Sequence, residues 1–488
     1  MSPIAEPLGT EPNDWPSVDL TGPITGLMRP VVWCEPGDSI REVARRIDDS
    51  AGTCALVRCE AGLGIVTDHD FRHRVATGEI GVDAPVTDLV TMPALTIDEY
   101  ASPATGLLRM VEHGVHHLVV TSPSGAAIGV LRVADVAQVE ARDPFMVRAA
   151  IEAADTLDAL ADACAALPDT IMRLHEHQVP PRQVGAAHSA IVEAVLQRVL
   201  ALRPSPVLAG VSHSWILLGS LARREPLLLS DVDTALLWAD PPAPEPDLAD
   251  SFRSAAGEIL QDLRRCGLRP CPDGANADNP LFSRSQADWS TAARGWMHDP
   301  DQEGALLLSA MVADSRPVTN VVLGDHLTDS IRSHTRTRQF LRALLDQALG
   351  WRPPTGFLRD FVVHHTGEHR GQLDLKRGGL APIVALARWI AIATGVAHGT
   401  TPDRLRRGAD GGLLTGAEAD TLVSGFDHVY ALLLDHEVRA TRAGTRPTTY
   451  LSPGELNPLT RRHLRETFRA IAAVQTRADQ EFLWRLTR

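Results

Sequence analysis

Residues 214–238 constrain this chain more than any other stretch. Ser214-Trp215-Ile216-Leu217-Leu218 runs into Gly219-Ser220-Leu221-Ala222-Arg223-Arg224-Glu225, and Ser230-Asp231-Val232-Asp233 opens a second apolar run, Thr234-Ala235-Leu236-Leu237-Trp238. The pattern predicts a short buried strand from Trp215 to Leu218, a glycine-serine corner, a brief helical or looped segment, and a second strand headed by two carboxylates. Side chains alternate faces along a strand, so Asp231 and Asp233 project to one side and Val232 to the other. Two carboxylates on one edge suit a divalent metal. A glycine lets backbone N–H groups approach a polyanion, and the Ser220 hydroxyl can bond a phosphate oxygen. Gly-Ser or Asp-x-Asp alone reads as an ordinary turn or a solvated strand start; the whole spaced set points to a metal–nucleotide site.

The set resembles the signature of the polymerase-β-like nucleotidyltransferases. The fuller Gly-Ser-x-x-Arg-x-Glu followed by Ser-Asp-x-Asp is similar to the branch that contains PII-protein uridylyltransferase. It is closer still to a bacterial family that joins a nucleotidyltransferase domain to paired CBS (cystathionine-β-synthase) domains. That resemblance implies an α/β multi-domain chain: a tandem CBS pair, a helical connector, a polymerase-β-like domain with a mixed sheet and helices, and a C-terminal helical domain. It also implies a third carboxylate on a neighbouring strand. The apolar run Ala310-Met311-Val312-Ala313 is expected to be that strand, and Asp314 of Asp314-Ser315-Arg316-Pro317-Val318 matches the family's Asp-x-Arg-Pro-Val. A strand-end Asp paired with Arg316 is the plainer alternative.

On this resemblance Asp231, Asp233 and Asp314 hold Mg²⁺ (or Mn²⁺), while Gly219 and Ser220 grip the triphosphate of an NTP. An acceptor hydroxyl, on a PII-like protein or a small molecule, attacks the α-phosphorus and pyrophosphate leaves. Arg223 either neutralises phosphate charge or pairs with Glu225 to hold the loop. The second is favoured, because a partly buried arginine needs a partner.

In chain order, residues 1–20 carry four prolines with little periodicity and read as a disordered lead-in. Residues 21–140 contain two similar units, each with an extended piece, an amphipathic helix, two strands and another helix, and they resemble a tandem CBS pair. In that family a hydroxyl-x-x-Asp after the last strand binds ribose and phosphate, which implies an adenine nucleotide at Thr67 and Asp70. In the second unit Asp135 is the corresponding candidate ligand contact, but Arg132 stands where the hydroxyl would be, a departure from the pattern. A pair kept for dimerisation without ligand is the alternative, and a homodimer is expected. Residues 141–204 are Ala- and Leu-rich and read as a helical connector, 205–325 as the nucleotidyltransferase domain and 326–488 as the C-terminal helical domain.

Composition matters at three points. Lys376 is the only lysine beside 46 arginines, so a compact ammonium has been kept where a planar guanidinium served elsewhere. Lys376 and Arg377 lie in Leu373-Asp374-Leu375-Lys376-Arg377-Gly378-Gly379, which resembles the C-terminal domain of the same family. Both residues are candidate nucleotide contacts or, equally, a brace for the interdomain seam. The net charge of −14 argues against a nucleic-acid partner and disfavours an RNA-tailing polymerase. Six cysteines without a Cys-x-x-Cys pair, and no membrane-length apolar run, predict a cytoplasmic protein away from membranes. The competing class is a nucleotide-sensing interaction protein with a degenerate transferase head.

Overall fold

The structure, a computed structural model, describes residues 24–485 except 51, 61, 137–142, 244, 333–336, 356–360, 364–365 and 396–397. The lead-in over 1–20, the segment 356–360 and the pair His364-His365 lie outside the described residues. The chain divides into two compact units between Asp143 and Pro144.

The N-terminal unit repeats one motif twice. β1 (Trp33–Cys34), α1 (Ile40–Asp49), β2 (Cys54–Cys59), β3 (Gly62–Thr67) and α2 (Asp68–Asp70) form the first half. β4 (Thr96–Asp98), α3 (Pro103–His113), β5 (His117–Thr121), β6 (Ala127–Arg132) and α4 (Val133–Val136) form the second. In each half the first two strands pair in parallel and the last two antiparallel. α1 starts where it does because the Ser39 side chain accepts the Glu42 N–H while Glu42 reaches back to Ser39, a capping box. Its buried residues Ile40, Val43 and Ile47 recur at helical spacing. The strand period then sorts β2: Ala55 and Val57 pack with the α1 residues, while Cys54 and Leu56 pack with Val119 and Val130 of the second half.

The second unit opens with α5 (Asp143–Ala153), α6 (Leu157–Cys164), α7 (Leu167–Glu176), α8 (Pro181–Leu202) and α9 (Pro206–Gly210). β7 (His213–Leu218), α10 (Gly219–Ala222) and β8 (Thr234–Trp238) follow, then α11 (Leu248–Arg265), β9 (Ser283–Ser285), α12 (Gln286–His298), α13 (Ala305–Val312) and β10 (Ser315–Pro317). The strand order is β10-β7-β8-β9, with β7 antiparallel to both its neighbours and β9 parallel to β8. α14 (Val321–Arg332), α15 (Arg338–Gly350), α16 (Ala381–Thr394), α17 (Thr401–Asp410), α18 (Gly416–Arg442) and α19 (Pro458–Arg485) complete the unit, with a small ribbon of β11 (Leu373–Asp374) and β12 (Tyr450–Leu451). The connector, transferase and C-terminal regions of the sequence reading thus pack as one unit.

The expected third apolar strand is a helix. Ala305 to Val312 contains only Ala, Leu, Ser, Met and Val, and a short apolar run reads equally as buried strand or buried helix. Its Ala, Leu and Met content favours the helix, and the strand begins one residue after Asp314.

α8 is long and apolar enough by composition to cross a membrane, but two thirds of its most apolar window is buried within the protein. Gly185 on α8 marks its closest crossing: a Cβ there would sit 2.3 Å from the Tyr430 hydroxyl of α18 and 3.3 Å from the Arg224 carbonyl. That hydroxyl donates to the Pro226 carbonyl at 2.6 Å, so it has little room to yield. Gly185→Ala is expected to lower unfolding stability by about 1–3 kcal/mol. Denaturant melts of the two proteins check this; an unchanged midpoint would show that the crossing is looser than described.

Candidate functional site

The corner after β7 is built around Asp233. Leu218 donates its N–H to the Asp233 carbonyl, and Gly219 turns with φ +61, which favours glycine. A Cβ on Gly219 would lie 2.7 Å from Asp233 Oδ2, so the glycine admits the carboxylate against the main chain. The Gly219 N–H donates to the Asp314 carbonyl at 3.0 Å, so that N–H is already used and the corner offers Ser220 instead. Val232 bridges to Pro270 and is buried.

Asp233 is part-buried, and its desolvation raises its carboxyl above the ordinary value; the Cys271 thiol donates to it, Asp231 opposes its charge, and Lys376 and Arg223 favour it. Burial and this same hydrogen bond push the Cys271 thiol up to about 11. Among the described residues no guanidinium or ammonium stands within ion-pair distance of Asp233. Asp231 is more open, with its Oδ1 3.6 Å from Arg269 Nε.

Asp314 is where the sequence expectation needs correction. Its side chain has no exposure, and both oxygens are taken. Arg223 and Arg404 ion-pair with it, and Arg388 donates to Oδ2 through Nε and Nη2 at 2.8 and 2.6 Å. Burial alone would raise this acid, but the guanidiniums of Arg223, Arg388 and Arg404 outweigh it and hold the carboxyl well below the usual range. Asp314 therefore serves as the counter-ion of a buried arginine cluster and has no oxygen open to a metal. Nor is Arg316 its partner: Arg316 pairs with Glu193 and donates to Ser189 Oγ at 2.9 Å.

Arg223 also donates to Glu225 Oε2 at 3.0 Å, and Glu225 accepts the Thr401 N–H and hydroxyl. The Arg-x-Glu pair does hold the loop, as the favoured alternative has it, while Arg223 lies almost wholly inside. Among the described residues no group of three or more His, Cys, Asp or Glu side chains could hold a metal ion.

Facing the corner is a cavity of about 240 Å³ lined by Ser220, Arg223, Ser230, Trp351, Lys376 and Arg388, among others. Lys376 acts electrostatically on both Asp233 and Glu437. Arg377 points elsewhere: its guanidinium lies over the Trp351 ring, 5.4 Å from the centroid, in a second cavity of about 500 Å³. Trp351 borders both cavities. Glu437 on α18 accepts the Leu228 N–H at 2.9 Å and so fixes the approach to Asp231.

Three contributors were not read from the sequence. Arg388 and Arg404 sit 74 and 90 residues from Asp314, and Glu437 lies in an ordinary amphipathic helix.

In the N-terminal unit the Thr67 N–H and hydroxyl both donate to Asp70 Oδ2 at 2.8 Å, closing a local cap. Asp135 is clasped by two arginines: Arg132 bonds both oxygens at 2.7 and 2.8 Å, and Arg29 bonds Oδ1 twice. The Asp135 side chain is 6 % exposed. Arg132, which departs from the hydroxyl pattern, thus satisfies the aspartate that a ribose would otherwise bond. A cavity of about 470 Å³ opens beside Arg29, Arg132, Thr53 and Cys54.

Three family models match the chain: "CBS domain" over residues 86–142, "Putative nucleotidyltransferase DUF294" over 165–303, and "Putative nucleotidyltransferase substrate binding domain" over 338–482. The second begins inside the helices read as a connector, and so assigns α7 and α8 to the transferase head. An uncharacterized protein of Methanopyrus kandleri is 26% identical over 122 residues, or 24% of this chain, and the match spans 61% of that curated relative's length. An uncharacterized conserved protein from Pyrococcus horikoshii is 22% identical, covering 25% of this chain and 93% of that one, with a TM-score of 0.23. A CBS domain protein from Pyrobaculum aerophilum, solved in complex with AMP, is 23% identical, covering 23% and 88%, with a TM-score of 0.22.

Two outcomes follow from the electrostatics. Asp314→Ala leaves the buried Arg404 and the part-buried Arg388 without their carboxylate and Arg223 with Glu225 alone, and is expected to cost about 3–5 kcal/mol, whereas Asp231→Ala, at a half-open site, is expected to stay within about 1 kcal/mol. Equal stability of the two variants in urea would contradict the assignment. Burial pushes the Glu437 carboxyl up to about 7, against the Leu228 and Leu229 N–H groups and the charges of Lys376 and Arg269. An acid whose folded-state pKa lies above its unfolded value stabilises fully below that unfolded value, and the contribution is lost as pH rises through the folded pKa. Relative to Glu437→Gln, which does not titrate, the native protein is expected to lose on the order of 3 kcal/mol between about pH 4.5 and 7. Denaturation midpoints of both at pH 5 and pH 8 check this, and parallel pH profiles would contradict it.

Proposed function

The chain belongs to the family that joins CBS domains to a nucleotidyltransferase head and its substrate-binding domain, and from that premise we propose that it moves a nucleoside monophosphate from an NTP to an acceptor hydroxyl. One observation supports this above the rest: Asp233 is a largely desolvated carboxylate pressed against the Gly219 turn, without an ion-pair partner among the described residues, and Lys376, which acts on it electrostatically, lines a cavity with the neighbouring Ser220. A buried charge calls for a cation.

The donor set suits a hard divalent ion through Asp231 and Asp233, with oxygens of the substrate completing its shell. Mg²⁺ or Mn²⁺ bound there supplies charge neutralisation at the phosphates and polarisation of the α-phosphorus. Asp314 adds nothing to that shell, so the reading here uses two acidic ligands instead of three. Lys376 and Ser220 hold the phosphates, since the ammonium is a compact donor with three N–H groups and the hydroxyl can turn to suit. Glu437 and Arg269 hold the Leu228–Leu229 segment from opposite ends, the first by accepting the Leu228 N–H and the second by donating to the Leu229 carbonyl at 2.6 Å. That fixes where Asp231 enters. The acceptor oxygen bonds to the α-phosphorus as the bond to the β-phosphate oxygen breaks; pyrophosphate departs and the hydroxyl proton passes to solvent. Asp314, held ionised by three arginines, does not take that proton.

The acceptor is a protein hydroxyl of the PII type or a small molecule. An adenine nucleotide binds the N-terminal unit at Thr67 and Asp70, the contacts the CBS resemblance implies, and its occupancy tunes the transferase.

The caged Asp314 favours a second reading, in which the head binds nucleotide and no longer reacts, because a two-metal centre would need that oxygen. The experiment separates them. The full chain is incubated with each labelled NTP, Mg²⁺ or Mn²⁺ and cell extract, and label transfer and pyrophosphate are measured. Transfer that falls at least 100-fold in Asp231→Ala and Asp233→Ala is the expected result. Nucleotide binding without any turnover would favour the sensor, and full activity in either variant would remove the enzyme reading.

A further inference from the structure

A second chamber of about 240 Å³ lies beside the approach to β8 and shares Ser230 with the first cavity. Its walls are apolar: Leu167 and Ile171 from α7, Val192 from α8, and Leu221 and Val232 from the corner and the approach to β8. Into this lining α8 places His188, a side chain 5 % exposed, whose Nδ1 has no hydrogen-bond partner among the described residues. Buried polar atoms are nearly always paired, so an unpaired imidazole nitrogen on a residue that lines an apolar chamber marks a place for a hydrogen-bonding group. Burial keeps the ring neutral by pushing it down to about 4, so it offers a hydrogen bond without a competing charge.

The rim supplies the opposite chemistry. Arg265 and Arg269 border the chamber with half-exposed side chains. Arg265 is anchored to Asp158 at 2.7 Å, while Arg269 donates to the Leu229 carbonyl and stands at 3.6 Å from Asp231. A guanidinium that loose from a carboxylate is free to exchange it for a closer anion.

We infer that this chamber is an effector site for a small carboxylate with an apolar body and a terminal hydroxyl or keto oxygen. The oxygen meets His188, the body fills the apolar walls, and the carboxylate takes Arg269. In doing so it draws Arg269 off Asp231 and leaves that carboxylate with a free charge for the metal. The coupling to the metal rests on the reading of Asp231 and Asp233 as its ligands; the binding itself does not.

The test uses the full chain in two arms. In the first, 4-hydroxyphenylacetate, its des-hydroxy analogue phenylacetate, the matching alcohol without a carboxylate, and a panel of short hydroxy- and oxo-carboxylates are titrated calorimetrically with no nucleotide or metal. Binding by at least one hydroxy- or oxo-carboxylate is expected, weakened at least tenfold by loss of either its oxygen or its carboxylate. The same ligand is expected to bind at least tenfold more weakly to His188→Leu and to Arg269→Gln. The second variant lies at the surface and keeps the test valid if the first does not fold. No binding by any of the panel, or equal binding to a folded variant, overturns the site.

In the second arm Mn²⁺ affinity is measured by electron paramagnetic resonance. The ligand is expected to tighten Mn²⁺ binding several-fold in the native protein, and Arg269→Gln to be tight without it. Ligand binding that leaves Mn²⁺ affinity unchanged overturns the coupling. If native Mn²⁺ binding is also unaffected by Asp231→Ala, the metal assignment has failed and the effector site has not.

Discussion

The second unit is organised by one buried carboxylate, Asp314, and the three guanidiniums that surround it. Charges this deep are tolerated only when paired and hydrogen-bonded, and each partner comes from a different part of the chain. Arg223 ends the turn after β7, Arg388 belongs to α16 and Arg404 to α17. Because Asp314 also gives its carbonyl to the Gly219 N–H, the cluster pins the corner, the strand β10 and the helices of the C-terminal region to one point. Glu225 extends it to the start of α17 through Thr401. The corner that carries Ser220, and Arg223 and Arg388 of the cavity wall, are held by that network.

This arrangement changes the chemistry available. A polymerase-like site with three open carboxylates brackets two metals; with Asp314 spent on arginines, Asp231 and Asp233 remain, and they differ. Asp233 is largely desolvated and accepts a hydrogen bond from the Cys271 thiol, while Asp231 is half-open and shares its charge with Arg269. On the proposed metal reading, the inner carboxylate would be the fixed ligand and the outer one the adjustable ligand. Control over Asp231, by Arg269 on one side and by Glu437 through the Leu228 N–H on the other, is then the natural point of regulation.

Much of this was legible in the residues. β7, the glycine corner and β8 follow from apolar runs of strand length with a residue between them that tolerates positive φ, and the single lysine did mark the cavity beside the corner. The repeated halves of the N-terminal unit follow from spacing alone. The apolar run before Asp314 misled because eight small and branched residues satisfy a helix or a strand equally. The caged state of Asp314 could not be read, since its meaning depends on arginines 74 and 90 positions away. Likewise, Thr67 and Asp70 read as a ligand motif and also satisfy each other as a helix cap, and the same four-residue spacing serves both ends.

On the proposed function, a metal would be held by Asp231 and Asp233 while Asp314 stays with its arginines. Crystals of the protein grown with Mn²⁺ and a non-hydrolysable NTP analogue, with anomalous scattering used to place the manganese, address it directly. The account expects manganese between Asp231 and Asp233 with the Arg223, Arg388 and Arg404 contacts to Asp314 intact. Manganese bonded to an Asp314 oxygen, with Arg388 and Arg404 swung away, would contradict it.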